Sequence, residues 1–412
     1  MIKNVKGFTI SGAFGITLIF LCISAGLGLM LRLAFSVDLP EWVSFSNLKH
    51  AHSHIAMLGW LFAAFLLVII RTFNFHWGKY RTYFWLLQFL TLIMLFSFVY
   101  SGYSTMSIIA TTLHTLCAYF AIFAMFRDIQ SHDYQEFSVN FLKAALFFFI
   151  IATLGTWAVG LFMSIGFKHS ALYYGSIQFY LHFMFNGFYV FALFSVLFRL
   201  LKNAGIQLNS TLIKYFYFVL MVATVLTFAL AITWSTPINA LFFTNSIGVF
   251  LQLVSLIILF KILRDIKQDF YSRLDYFTKF LFNIALISFA LKVIVQGVVM
   301  LPIFAIISYT IRNFVIGFIH LLMLGCLTTF LFSIINLGFK NTISKYGTYI
   351  FIFGFITSES LLFLQGLSIW VGKGIWLLYY NAISFASVFL FLGVMIITIK
   401  YLKNVYIDKL EN

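Results

Sequence analysis

Charge is scarce in this chain. Only 9% of its 412 residues are charged, and acidic side chains number 11 against 26 lysines and arginines. Soluble domains carry about 25% charged residues, so the composition excludes one. Proline is scarcer still, occurring only as Pro40, Pro237 and Pro302. Long helices can therefore run unbroken, and no apolar segment is clearly interrupted by glycine and proline at matching places, as broken-helix transporters tend to show. The three cysteines, Cys22, Cys117 and Cys326, lie inside apolar runs without paired spacing. This excludes a disulfide framework or a thiolate metal site and leaves small core residues. Long polar connections are missing too: the longest hold Asp128 to Glu136 and Lys267 to Asp275. No soluble domain fits between helices, so residues 1–412 read as a single polytopic membrane domain. Lys3 and Lys6 precede an apolar run from Phe8 to about Phe35 with no small-residue cleavage pattern, which reads as a first spanning helix and not a signal peptide.

Hydrophobic residues make up 63% of the chain, and the mean hydropathy is +1.03. Twelve segments are long enough to cross a hydrocarbon core of about 30 Å. They run roughly over 8–34, 48–71, 82–101, 104–126, 139–165, 172–200, 212–234, 240–264, 277–303, 310–337, 344–366 and 375–402. The expectation is an all-α integral membrane protein. A net charge of +15 with a pI near 9.6 points to nucleic acid in a soluble protein, but here the basic residues cluster between apolar runs. They read as topology signals. With the N-terminus cytoplasmic, twenty Lys and Arg fall on that side; only Arg32, Lys49, Lys168, Arg312 and Lys373 flank the other, and Lys292 stays inside a segment. Both termini are expected inside.

The stretch from Asn47 to Trp60 carries His50, His52 and His54 at the mouth of the second segment. Its last histidine begins a spacing that returns twice, as His54-x4-Gly59, His182-x4-Gly187 and His320-x4-Gly325. The three lie on segments 2, 6 and 10, each four segments after the last, so the chain reads as three four-helix pseudo-repeats of about 1–137, 138–275 and 276–412. Arg71 and Arg199 each follow their histidine by 17 residues and Lys340 follows His320 by 20. At 1.5 Å per residue the imidazoles stand roughly 25 to 30 Å from the inner charges, in the outer part of the bilayer.

Neutral imidazole is the commonest side-chain ligand for heme iron, copper and zinc, and ionisable groups at membrane depth usually serve function. Any one buried histidine equally well serves as interhelical glue; three at equal depth in equivalent helices point to a buried metal or heme site. The glycine one turn deeper lets a flat macrocycle or another backbone approach closely. With helix 2 capped by Ser46 or Asn47, His50 and His54 share a face and His52 points elsewhere. His54 matches the repeat, His52 is the alternate, and His50 reads as interfacial. His76, His132 and His169 sit among polar loop residues and read as solvated. His114, beside Thr111, Thr112 and Thr115, lacks the glycine and reads as an interhelical hydrogen bond. Lys292 and Arg312 stand level with or outward of the histidines, where heme propionates need cations; snorkelling is the alternative for Arg312. Glu359 either pairs with Lys292 or carries protons.

At these residues the chain resembles a known group. The run from His52 to Trp60 resembles the His-x-His-x4-Gly-aromatic opening of the NnrS family, and His320-Leu-Leu-Met-Leu-Gly325 is similar to that family's late histidine helix. More distantly, twelve helices in three arcs with histidines on helices 2, 6 and 10 resemble subunit I of heme-copper oxidases and nitric oxide reductases. The resemblance implies a heme held between helices 2 and 10 by His54, or His52, and His320; the residue reading above places Gly59, Gly325, Lys292 and Arg312 around it. It implies copper at His182, ligands such as NO, CO or O2, and a bacterial inner membrane. The chain departs from the oxidase pattern, with Asn186 where many oxidases place a cross-linked tyrosine, no histidine on helix 7 and one on helix 10. A complete binuclear centre is not expected, and electrons must come from quinol or a separate subunit. The competing readings are a metal or small-solute transporter with a histidine transit site, and a non-catalytic partner in respiratory assembly.

Overall fold

The computed structural model describes residues 9–130, 136–339 and 342–410; Lys3, Lys6, His132 and Lys340 lie outside them. Inside hydrocarbon no water satisfies a backbone N–H or C=O, so a spanning segment must satisfy its own, and the helix does. Among the described residues there is no strand. Twelve helices are long and apolar enough to span a membrane: α1 (Ile10–Leu33), α2 (Phe45–Thr72), α3 (Trp77–Ser101), α4 (Thr105–Ile129), α5 (Phe137–Ser164), α6 (Ala171–Asn203), α7 (Ser210–Thr233), α8 (Asn239–Ser272), α9 (Tyr276–Val298), α10 (Arg312–Gly338), α11 (Lys345–Trp370) and α12 (Tyr379–Leu410). The chain is an integral membrane protein.

Helix ends depart from the hydropathy pattern for identifiable reasons. α3 begins five residues earlier than the apolar run and α8 continues to Ser272, because polar turns extend a helix past the hydrocarbon where hydropathy no longer registers it. α9 stops at Val298 instead of running to 303, and Pro302, which has no N–H to leave unpaired, opens a short helix over Pro302–Thr310. α2 starts at Phe45 with Ser44 as an N-cap that makes no side-chain bond, not at Ser46 or Asn47. The Asn47 side chain instead fills the space a Cβ would need at Gly102, whose φ of 59° favours glycine.

The chain forms two compact units. The first comprises Met1–Ala121, Leu331–Leu361 and Ile375–Asn412. In it α1 and α12 are tied by Thr398 Oγ1 donating to Leu18 O at 3.2 Å and Tyr401 Oη donating to Ser11 O at 3.0 Å. α2 lies against α1 and α3, and at its end Arg71 donates to Gly338 O and sits 4.0 Å from the Phe339 ring centroid. A cation there satisfies a carbonyl at the C-terminus of α10. The second unit comprises Ile122–Phe330 and Leu362–Gly374. Phe141 packs at 5.2–6.1 Å from the rings of Phe191, Phe194, Phe198 and Phe216, joining α5, α6 and α7.

At the end of α6 Glu136 accepts from Arg199 and Lys202. Partial burial works to raise its pKa, but the bonds from Lys202 and Arg199 and their charges outweigh that and hold it below the ordinary carboxylate value. A depressed folded-state pKa contributes stability above the unfolded value and loses it as pH falls through the folded one. Glu136→Gln is therefore expected to lower stability by about 1 kcal/mol at pH 7, with the gap from wild type closing below about pH 4; thermal melts in detergent across that range measure it. At Gly187 a Cβ would lie 2.7 Å from Phe148 Cβ, whereas at Gly160 it would meet nothing within 4 Å. Gly187→Val is expected to cost about 1–3 kcal/mol, and Gly160→Ala to gain about 0.5–1 kcal/mol, both read as shifts in melting temperature.

Candidate functional site

The three repeated histidines mark the same local event in their helices. A π-helical stretch begins at the next residue each time: Ile55–Phe62 after His54, Phe183–Tyr189 after His182 and Leu321–Thr328 after His320. The repeat's glycine is the fifth residue of every one, and among the described residues π-helix occurs nowhere else. Such i→i+5 turns insert one residue into the α ladder, turn the faces on either side out of phase, and are frequent at functional sites. In α10, Thr328 Oγ1 donates to Met323 O at 2.8 Å and Thr329 Oγ1 to Gly325 O, giving widened-turn carbonyls a second donor.

Burial changes at the same points. Before its histidine α2 buries only Leu48 and Ala51, α6 only Ser176 and α10 only Gly317. Afterwards the π stretches are buried at every residue except Ala56 and Leu324. These are also the most enclosed spans: 83%, 89% and 61% of their apolar windows are buried, against 50% or less in the other nine. The histidines stand where an open half-helix meets a solidly packed one.

Within unit 1, His52 turns toward α1. Its Nδ1 lies 2.8 Å from Ser24 O, and its ring rests on Gly28, where a Cβ would come within 3.0 Å of Cε1. With Nδ1–H given to that carbonyl, the lone pair sits on Nε2. His54 faces α3. It stacks on Phe98 at 4.4 Å, its Nε2 is 3.3 Å from Tyr103 Oη, and its Nδ1 is buried without a partner. His50 contacts the same tyrosine ring at 4.6 Å, so His50 and His54 share a face and His52 does not, as helical spacing predicts. Gly59 leaves no room for a flat ligand: a Cβ there would meet Phe20 Cγ and Thr91 Cγ2 at 3.0 Å. Its missing side chain serves the packing of α1 and α3. His114 is buried with its Nε2 unpaired and the Phe62 ring 6.0 Å away, so Nε2 does not make the expected interhelical bond. Glu359 is buried in this unit, where the charge acting on it is Arg32.

Within unit 2, His182 donates from Nε2 to Thr224 O at 2.8 Å. That carbonyl lies just before a 3₁₀ turn in α7 over Thr227–Ala229, and the lone pair of His182 is left on Nδ1. Asn186 Nδ2 reaches back to His182 O at 3.5 Å. Lys292 is 2% exposed, with its Nζ 5.5 Å from the Phe318 ring centroid, so it does not snorkel. α9, which carries it, packs on the π stretch of α10 that holds Gly325. Arg312 is exposed at the first residue of α10. His169 is exposed and bonds Tyr174 Oη at 2.9 Å, and His76 stands at the N-cap of α3. Among the described residues no group of three or more His, Cys, Asp or Glu side chains is gathered to hold a metal ion by itself.

Ser24, Gly28 and Tyr103 escape sequence reasoning. Ser24 and Gly28 stand four apart on one face of α1, but nothing in their own segment says which helix they meet. No family model matches this chain, and no curated protein matches it.

Removing the His182 ring takes from the Thr224 carbonyl its 2.8 Å donor and leaves it the longer bond from Thr227 Oγ1 at 3.4 Å. His182→Ala is expected to cost about 1–3 kcal/mol, measured as a lower melting temperature in detergent.

Proposed function

We propose that the chain is a heme-binding membrane protein of the kind its sequence resembles, with helix α2 supplying an axial imidazole from His52. One observation carries the choice: His52 holds Nδ1 against Ser24 O at 2.8 Å with Gly28 making room for its ring. Ligating histidines are oriented in this way, by giving the other ring nitrogen to a carbonyl. His54, which the repeat alone favours, is engaged by Tyr103 and Phe98. His320 is the second ligand suggested by sequence, and His182, with its lone pair on Nδ1, is the candidate for copper. Lys292 supplies a buried cation of the kind a propionate pairs with.

The three π stretches, each opening after a repeated histidine, support a chain of three related four-helix arcs. The distribution of Lys and Arg supports cytoplasmic termini, and the resemblance suggests a bacterial inner membrane. Bound heme supplies a one-electron couple and, with a single protein imidazole, a position for NO, CO or O2. The chain's own part is to hold the His52 tautomer and plane, to bury the helix beyond it, and to exclude water. The role that follows is respiratory electron transfer or NO and O2 binding in nitric oxide tolerance.

The test is the reduced-minus-oxidised and CO-difference spectrum of protein expressed with ample heme. His52→Ala and His320→Ala are expected to lose the heme band and His54→Ala to keep it. Wild-type protein without heme, or a band indifferent to His52 and His320, overturns the reading.

A further inference from the structure

A narrow cavity of about 20 Å³ lies in unit 2 between α6, α8, α9 and α10. Its wall is hydrocarbon apart from the Cys326 thiol. Of the lining residues only Leu263 on α8 and Leu286 on α9 are partly exposed, so the mouth lies between those two helices. A water inside would need two to four polar partners, and the wall offers none but a thiol. The space suits a hydrocarbon group that arrives from the bilayer.

The helix faces that reach this mouth end in cations. Leu259, Leu263 and Lys267 recur every four residues on α8, and Lys279 and Leu286 stand seven apart on α9, so each lysine lies on the strip that carries its mouth residue. Along the helix axes Lys267 is roughly 6 Å and Lys279 roughly 10 Å from that residue. At the same end the two helices are joined, with Phe270 edge-on to Phe282 at 5.0 Å and Tyr271 Oη donating to Asn283 Oδ1. Of the acids there, Asp265 lies 3.7 Å from Arg264, and Asp275 accepts from Phe277 N and Thr278 N. Asp269 is exposed two positions from Lys267, on another side of α8. Among the described residues neither Lys267 nor Lys279 has an ion pair or a side-chain hydrogen bond.

We propose that the groove between α8 and α9 binds an anionic phospholipid, its phosphate between Lys267 and Lys279 and an acyl chain passing Leu263 and Leu286 into the cavity. Basic residues beside an apolar groove between spanning helices suit such a headgroup. Free phosphate would use the cations alone, and a zwitterionic lipid brings its own cation to the phosphate. An anionic lipid uses both parts, at the depth that separates them. The inference is independent of the heme reading.

The experiment is photolabelling of the full chain in phosphatidylcholine nanodiscs doped with a phosphatidylglycerol that carries a diazirine in one acyl chain, followed by peptide mapping. The expected result is label on the peptides containing Leu263 and Leu286, displaced by excess phosphatidylglycerol but not by added phosphatidylcholine or inorganic phosphate. It should fall about tenfold when Lys267→Gln and Lys279→Gln are combined, and persist when both become arginine or in Lys261→Gln, which removes a cation from another face of α8. Leu286→Trp, which covers the mouth from a partly exposed position, should lower it with both lysines in place. Label spread evenly over lipid-facing helices, displacement by phosphatidylcholine or inorganic phosphate, or label indifferent to loss of the two lysines or to Leu286→Trp overturns the proposal.

Discussion

A backbone inside hydrocarbon has no water to bond with, and every N–H and C=O it exposes costs several kcal/mol. The exceptions to regular α-helix therefore need partners, and in α10 and α7 side chains supply them. The π stretch of α10 has Thr328 and Thr329 donating into it. Ahead of the 3₁₀ turn of α7 the Thr224 carbonyl accepts a hydrogen bond from His182. The end of α10 accepts one from Arg71. At these places the irregular or terminal carbonyls are met by side-chain donors from threonine, histidine and arginine.

The same economy separates the histidines of α2 by what their second nitrogen does. His52 spends Nδ1 on a carbonyl of α1 and keeps Nε2 as the basic nitrogen. His54 directs Nε2 to a phenol at the rim. Two positions apart on a helix, they point about 200° around the axis from one another and meet different neighbours. In unit 2 His182 has the opposite tautomer, set by a carbonyl of α7.

Packing explains where these side chains stand. Beyond each repeated histidine the helix is enclosed on all faces, and before it the surface is open. A ring at that boundary has a rigid floor and an approachable upper side, the condition a positioned ligand needs. Gly59 and Gly187 belong to the floor, since Phe20, Thr91 and Phe148 occupy the space their side chains would take.

The sequence by itself determined the membrane class, the twelve spans and the threefold histidine spacing, because hydropathy and helical period are local properties that one segment carries whole. It also separated His50 and His54 from His52, since residues four apart share a helix face. Tertiary structure decided what each imidazole bonds. Ser24, Gly28, Phe98 and Thr224 come from other helices and Tyr103 from the turn after α3, and a spanning segment does not encode which neighbour it will meet. The π stretches lay beyond a sequence reading as well. They lie in the part of each helix that is buried on all sides, and residues such as Ile-Ala-Met-Leu-Gly suit an α-helix as readily.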